Sequence, residues 1–166
     1  RISFYTSHPR DYSETTIDAM RDYPNIMPFL HLPVQSGSDE VLRRMARGYT
    51  VERYKQLYDD LKKKVPDIAF TTDLIVGFPN ETEEEFEASL DLVRYCRFDM
   101  AYAFIYSPRA GTPAANMEDN IPLEVKKERL ARLNDLLTEI AEENNRRFLG
   151  KTVSVLCIGK SKRNSE

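Results

Sequence analysis

Apolar and polar positions along this chain follow two periods in turn. Short runs rich in β-branched and aromatic residues alternate with stretches whose apolar residues recur at helical spacing. The runs at 1–7 (RISFYTS), 29–36 (FLHLPVQS), 68–78 (IAFTTDLIVGF) and 98–107 (FDMAYAFIYS) predict strands. A further run at 151–159 (KTVSVLCIG) reads as the first strand of a separate unit. Helices are predicted between them. One covers about 13–23, with Ser13 as cap and Pro24 as stop; another runs from Ser38 to Gly48. A third follows Thr50, with Val51, Tyr54, Leu57, Tyr58 and Leu61 on one face and Pro66 beyond its end. Thr82 to Glu85 has the form of a capping box, and a long helix over about 122–147 carries Leu130, Leu133, Leu136, Leu137 and Ile140.

Strands separated by helices predict an α/β fold with a parallel sheet. Such strands normally read as continuous hydrophobic runs, and these do not. By alternation His31, Pro33 and Gln35 share one face, Thr71 and Asp73 another, and Tyr102 and Tyr106 a third. The polar positions concentrate toward the C-terminal strand ends, where parallel α/β folds bind ligands. A polar face is costly under covering helices, so the pattern predicts a barrel-like interior holding a polar ligand. Gln35, Ser36 and Asp73 are read together as ligand-lining, while His31 is open to a second reading as a satisfied internal hydrogen-bonder.

Composition narrows the class. The 166 residues suffice for one domain with a proper core, and mixed charges with 41% apolar residues describe a globular, folded chain. A net charge of −3 argues against a bulk polyanion binder. No apolar run approaches the roughly 20 residues of a membrane span, and nothing resembles a signal peptide. Cys96 and Cys157 stand in no metal-binding or redox spacing, which suits a reducing, cytoplasmic setting. Five glutamates crowd 80–87, whereas 146–163 holds six basic residues and no acid. The chain opens without methionine directly in a strand pattern, so it is expected to be a piece of a longer protein.

Four segments carry a resemblance: TSHP at 6–9, LHLPVQSGSDEVLRRMARGYT at 30–50, TDLIVGFPNETEEEF at 72–86 and YSPRAGTPAA at 106–115. In this order they closely resemble the radical S-adenosylmethionine methylthiotransferases. The resemblance implies a parallel-sheet partial TIM-like barrel over 1–148, followed over 149–166 by the opening of a β-rich TRAM domain. It implies S-adenosylmethionine as cofactor, together with two 4Fe-4S clusters in the parent protein. The family's CxxxCxxC cluster motif is not in this sequence, so the piece alone is expected to be inactive, with Cys96 and Cys157 structural.

Residue by residue, the resemblance brings Gln35 and Ser36 near the cofactor's ribose and methionyl parts, with Asp73 on the next strand. Val76, Gly77 and Phe78 fall in the segment that packs on the adenine, and Arg47 matches an arginine suited to a carboxylate, with a solvated helix end as its second reading. His8 is placed to face cofactor or substrate, or simply to precede the strand-ending Pro9. Two positions depart from the family pattern: Asn80 stands where glycine is common and Ala110 where proline is. Asparagine tolerates left-handed backbone angles, so the turn at Asn80 is expected to survive. TSHP with FLHLPVQSGSD is most similar to the branch that adds a methylthio group to isopentenylated adenosine beside the tRNA anticodon. The threonylcarbamoyladenosine branch and the ribosomal-protein aspartate branch are the alternatives.

The implied partner is tRNA, through the TRAM domain and the barrel, with the basic tail suited to phosphate contacts. No membrane is implied. Exposed sheet edges are expected to let the piece self-associate. A sugar-phosphate barrel enzyme would want a glycine-rich phosphate loop, and PRAGTPA has one glycine. A non-catalytic RNA-binding module would want basic residues interleaved along the strands, and there are none.

Overall fold

The computed structural model describes residues 1–3, 8–155, 157 and 159. Its helices are α1 (Glu14–Asp22), α2 (Asp39–Arg44), α3 (Val51–Lys64), α4 (Glu83–Cys96) and α5 (Leu123–Arg146). Strands β1 (Phe29–His31), β2 (Ala69–Val76) and β3 (Met100–Ile105) form a parallel sheet in the order β1-β2-β3 among the described residues. The expected α/β architecture is therefore present, each crossover being made by helix as parallel pairing requires.

Helix starts follow local chemistry. The side chains of Ser13, Ser38, Thr50 and Thr82 each accept the backbone N–H three residues on. Thr82 and Glu85 complete the predicted capping box in both directions. Only α2 is much shorter than expected: Ala46 turns left-handed with φ 56°, ahead of Gly48 at φ 69°, and the chain leaves the helix early.

The core lies on one side of the sheet. Leu30, Phe70, Leu74 and Val76 point from the strands into Tyr54, Leu61, Phe86 and Val93 of α3 and α4, with Leu133 and Ile140 of α5 closing it. On β3 the alternation is complete: Ala101, Ala103 and Ile105 pack against this core, while Met100, Tyr102 and Phe104 are about half exposed on the other face.

The predicted strand over 29–36 departs from simple alternation. His31 is in register with Thr71, yet Gln35 bridges to Leu74, so four steps on one strand oppose three on the other. That extra residue is a bulge. Pro33 has no N–H to offer the ladder. Instead the Val34 N–H donates to Thr72 Oγ1 (3.0 Å), and the Thr72 hydroxyl donates to the Leu32 carbonyl (2.9 Å). Gln35 takes φ 72° on leaving the bulge. The expected common face of His31, Pro33 and Gln35 is thereby corrected, because the bulge re-aims whatever follows it.

Of the first predicted strand, residues 4–7 lie outside the described residues, and Ile2 makes an isolated bridge to Ile26. Over 151–155 the chain is exposed and forms no strand; residues 156, 158 and 160–166 lie outside the described residues. A strand there needs a ladder partner, and no described residue supplies one.

Candidate functional site

A cavity of about 650 Å³ opens at the C-terminal ends of the strands, between the loop after β1, the end of α2 and the chain beyond β3. Its size is that of a small-molecule site. Gln35, Arg47 and Asp73 give it a polar wall; Phe78, Phe104 and Tyr106 give it an aromatic one.

Each polar group is placed by a different device. Gln35 is delivered by the bulge, at a left-handed backbone angle that a non-glycine residue adopts only at a cost. Asp73 sits on the inner face of β2, with Oδ2 3.4 Å from His31 Nε2. The other ring nitrogen of His31 is 2.9 Å from Thr71 Oγ1. His31 thus has the internal hydrogen-bonding contact of its second reading, and it stands beside the lining residue Asp73. Arg47 is set by the end of α2, where its N–H closes on the Leu42 carbonyl (3.0 Å). Its Nε is buried without a hydrogen-bond partner, an unmet donor beside a cavity.

Arg44 braces the mouth. Its two terminal nitrogens reach the two Glu85 oxygens at 3.0 and 2.6 Å, and one also approaches the Asn80 carbonyl (3.4 Å). Partial burial works against the Glu85 carboxylate, but Arg44 and the Thr82 N–H together hold its pKa below the usual carboxylate range. On the aromatic wall, Phe78 meets Tyr106 edge-on at 5.0 Å, and the Tyr106 hydroxyl is buried without a partner.

The structure thus brings together four of the seven residues expected at a ligand: Gln35, Arg47, Asp73 and Phe78. It does not bring Ser36, Val76 or Gly77 to the lining. Ser36 is fully buried against α4, with its Oγ 3.3 Å from Ser89 Oγ and accepting the Ser38 N–H. Val76 packs in the helix-side core. The Gly77 N–H is taken by Glu81 Oε2 (2.8 Å), and a Cβ on Gly77 would lie 2.5 Å from Lys126 Cγ. His8 caps the short 3-10 turn Pro9–Asp11, accepting the Arg10 N–H, and packs edge-on against Tyr49. Asn80 takes φ 63°, so the left-handed turn survives the departure from glycine as expected.

Sequence reasoning missed Arg44, Phe104 and Arg109 as lining residues. Phe104 was available from alternation with Tyr102 and Tyr106; Arg44 carries no local signal, since its place depends on the docking of α2 against α4.

An amide, a carboxylate and a guanidinium with an unmet Nε donor beside an aromatic wall fit a ligand with hydroxyls, a carboxylate and a flat ring, as S-adenosylmethionine has. The same residues do not fit an iron–sulfur cluster. Burial pushes the Cys96 thiol up to about 12, Cys157 is exposed, and no metal-binding group of His, Cys, Asp or Glu occurs among the described residues. No helix among the described residues is long and apolar enough to cross a membrane.

Comparison with known proteins shows the family to which the chain belongs. A family profile described as the radical SAM superfamily matches residues 1–93. A tRNA-2-methylthio-N(6)-dimethylallyladenosine synthase of Geobacillus kaustophilus (strain HTA426) is 55% identical over all 166 residues, covering 100% of this chain and 31% of that protein. The protein of the same name from Bacillus subtilis (strain 168) is 54% identical, covering 100% and 33%. The chain therefore spans about a third of the length of the curated relatives it matches. Among solved structures, coproporphyrinogen III oxidase from Escherichia coli, a radical SAM enzyme, superimposes with a TM-score of 0.64 at 24% identity. That match covers 80% of this chain and 31% of the other, and it is a likeness of fold.

Proposed function

This chain belongs to the radical SAM superfamily, and from that premise we propose that it is the cofactor-facing part of a tRNA-2-methylthio-N(6)-dimethylallyladenosine synthase. The observation that carries the reading is the cavity at the strand ends, where Gln35, Arg47 and Asp73 face an aromatic wall. Identity of 55% and 54% along the whole chain to two proteins of that name supports the choice of branch.

Within this reading the Arg47 guanidinium takes the methionyl carboxylate as a bidentate donor. Asp73 and Gln35 accept and donate to the ribose and methionyl groups, and Phe78 lies against the adenine. Ser36, Val76 and Gly77 act from behind the wall: Ser36 pins the loop that bears Gln35, and Val76 and Gly77 carry Phe78. When bound, S-adenosylmethionine would supply the methyl group and, reduced by an iron–sulfur centre of the parent protein, the radical chemistry for sulfur insertion at C2 of the isopentenylated adenosine, the sulfur itself coming from a second cluster of the parent. The residues here hold and orient cofactor and nucleoside and keep water from them. The tRNA meets the protein at the cavity mouth, with Arg109 at its rim, and along the basic tail.

The test uses the full-length protein with its clusters reconstituted. Nucleosides from tRNA lacking the modification are mass-analysed after incubation with cofactor and reductant. A methylthio gain on isopentenyladenosine is expected. Asp73→Ala and Gln35→Ala are each expected to slow it about 10–100-fold, the equivalent of ~1.5–3 kcal/mol for a hydrogen bond to a charged group. A gain only on threonylcarbamoyladenosine would reassign the branch; none on either would overturn the substrate.

The edge of β3, unpaired among the described residues, with Met100, Tyr102 and Phe104 half exposed on one face, supports self-association of this stretch when made alone. Light scattering over a concentration series is expected to show a mass above the monomer that falls on dilution. A constant monomer mass would count against it.

A further inference from the structure

The turn after β2 is gripped from outside by groups far along the chain. Arg129 of α5 is 5% exposed; its Nη1 donates to Glu81 Oε2 (2.9 Å) and to the Glu81 carbonyl (3.1 Å), and its Nε reaches Glu83 (3.2 Å). Glu81 Oε2 in turn receives the Gly77 N–H at 2.8 Å. Lys126, 4% exposed, lays its methylenes over Gly77 where a side chain would stand, and both Asp119 oxygens hold its ammonium, at 2.6 and 2.5 Å. Asn120, just before α5, accepts the Asn80 N–H at 3.1 Å. Phe78 lies between these held residues and faces the cavity.

We propose that Lys126 and Arg129 are positioning residues for the cavity: they fix the turn at 77–80, and through it Phe78, in the orientation that the bound cofactor meets. This rests on reading the cavity as the S-adenosylmethionine site. A buried ion pair contributes little net stability compared with apolar packing of the same volume, so its value here is in geometry. One Glu81 oxygen, Oε2, takes both the Arg129 guanidinium and the Gly77 N–H at the start of the turn, while Oε1 is buried with no hydrogen-bond partner. Both residues lie outside 1–93, the part matched by the superfamily profile, so α5 adds a support that the matched part does not itself contain.

The experiment uses the full-length, cluster-loaded protein and three variants: Arg129→Met, Arg129→Lys and Lys126→Ala. Arg129→Lys keeps the charge beside Glu81, so it tests the fork even where Arg129→Met fails to fold. Two quantities are read well below each unfolding midpoint: amide exchange across 77–81 and calorimetric affinity for S-adenosylmethionine. Arg129→Met is expected to speed exchange of the Gly77 amide about tenfold or more. It is expected to weaken cofactor binding by roughly 5–20-fold, with Arg129→Lys in between. Lys126→Ala, which uncovers Gly77, moves both readouts the same way. A merely structural role would lower the midpoint and leave low-temperature affinity within twofold; that result overturns the proposal. So does lost affinity without faster exchange at 77–81. Failure of the unaltered protein to bind S-adenosylmethionine would sink the reading of the site. Unchanged exchange at Gly77 in the variants would sink the clamp by itself, so the two failures are told apart.

Discussion

Gly37→Ala is expected to lower the unfolding midpoint by roughly 6–12 °C, from an overpacking cost of ~3 kcal/mol. A Cβ at residue 37 would lie 2.3 Å from the Ala88 carbonyl oxygen and 2.5 Å from Ser89 Cα. These are backbone atoms inside α4, so no side chain can swing aside to admit the methyl group. The close approach also lets the Gly37 N–H reach Ser89 Oγ at 2.8 Å, which prising the segments apart would break. Because Gln35 precedes this contact by two residues, the variant is expected to weaken the cavity's ligand as well. Thermal unfolding followed by circular dichroism reads the first effect, and a midpoint within 2 °C of the parent would contradict the packing argument.

The second large effect is at Arg44. Arg44→Met removes a bidentate pair with Glu85, whose side chains are only 18% and 16% exposed, and is expected to cost about 2–3 kcal/mol at neutral pH. The sign of its pH dependence follows from Glu85. A carboxyl held below its ordinary range contributes stability above the unfolded pKa and loses it as pH falls through the folded one. The gap between parent and variant should therefore be full at pH 7 and close progressively below about pH 4.3, the unperturbed glutamate value. Urea unfolding at neutral and acid pH measures it; a gap of equal size at both would show that Arg44 acts through packing alone.

Much of the candidate site's lining was legible in the sequence, and the misses share a cause. Gln35, Asp73, Phe78 and Arg47 were found from strand-end polarity and family words. Ser36 carries the same words, yet it turns to Ser89, 53 residues away. Lys126 and Arg129 carry no local signal, because nothing within a turn of either says that Glu81 and Gly77 will be opposite.

The sequence by itself determined the capped helix starts, the order of the three strands β1 to β3 along the chain and the family. Caps at Ser13, Ser38, Thr50 and Thr82 are settled by hydrogen bonds three residues long, and apolar period is a property of neighbours. Only the tertiary structure decided the bulge that aims Gln35, the unmet Nε of Arg47 and the burial of Arg129 on Glu81. Each of these depends on which distant surfaces meet and at what register, and local periodicity does not encode that.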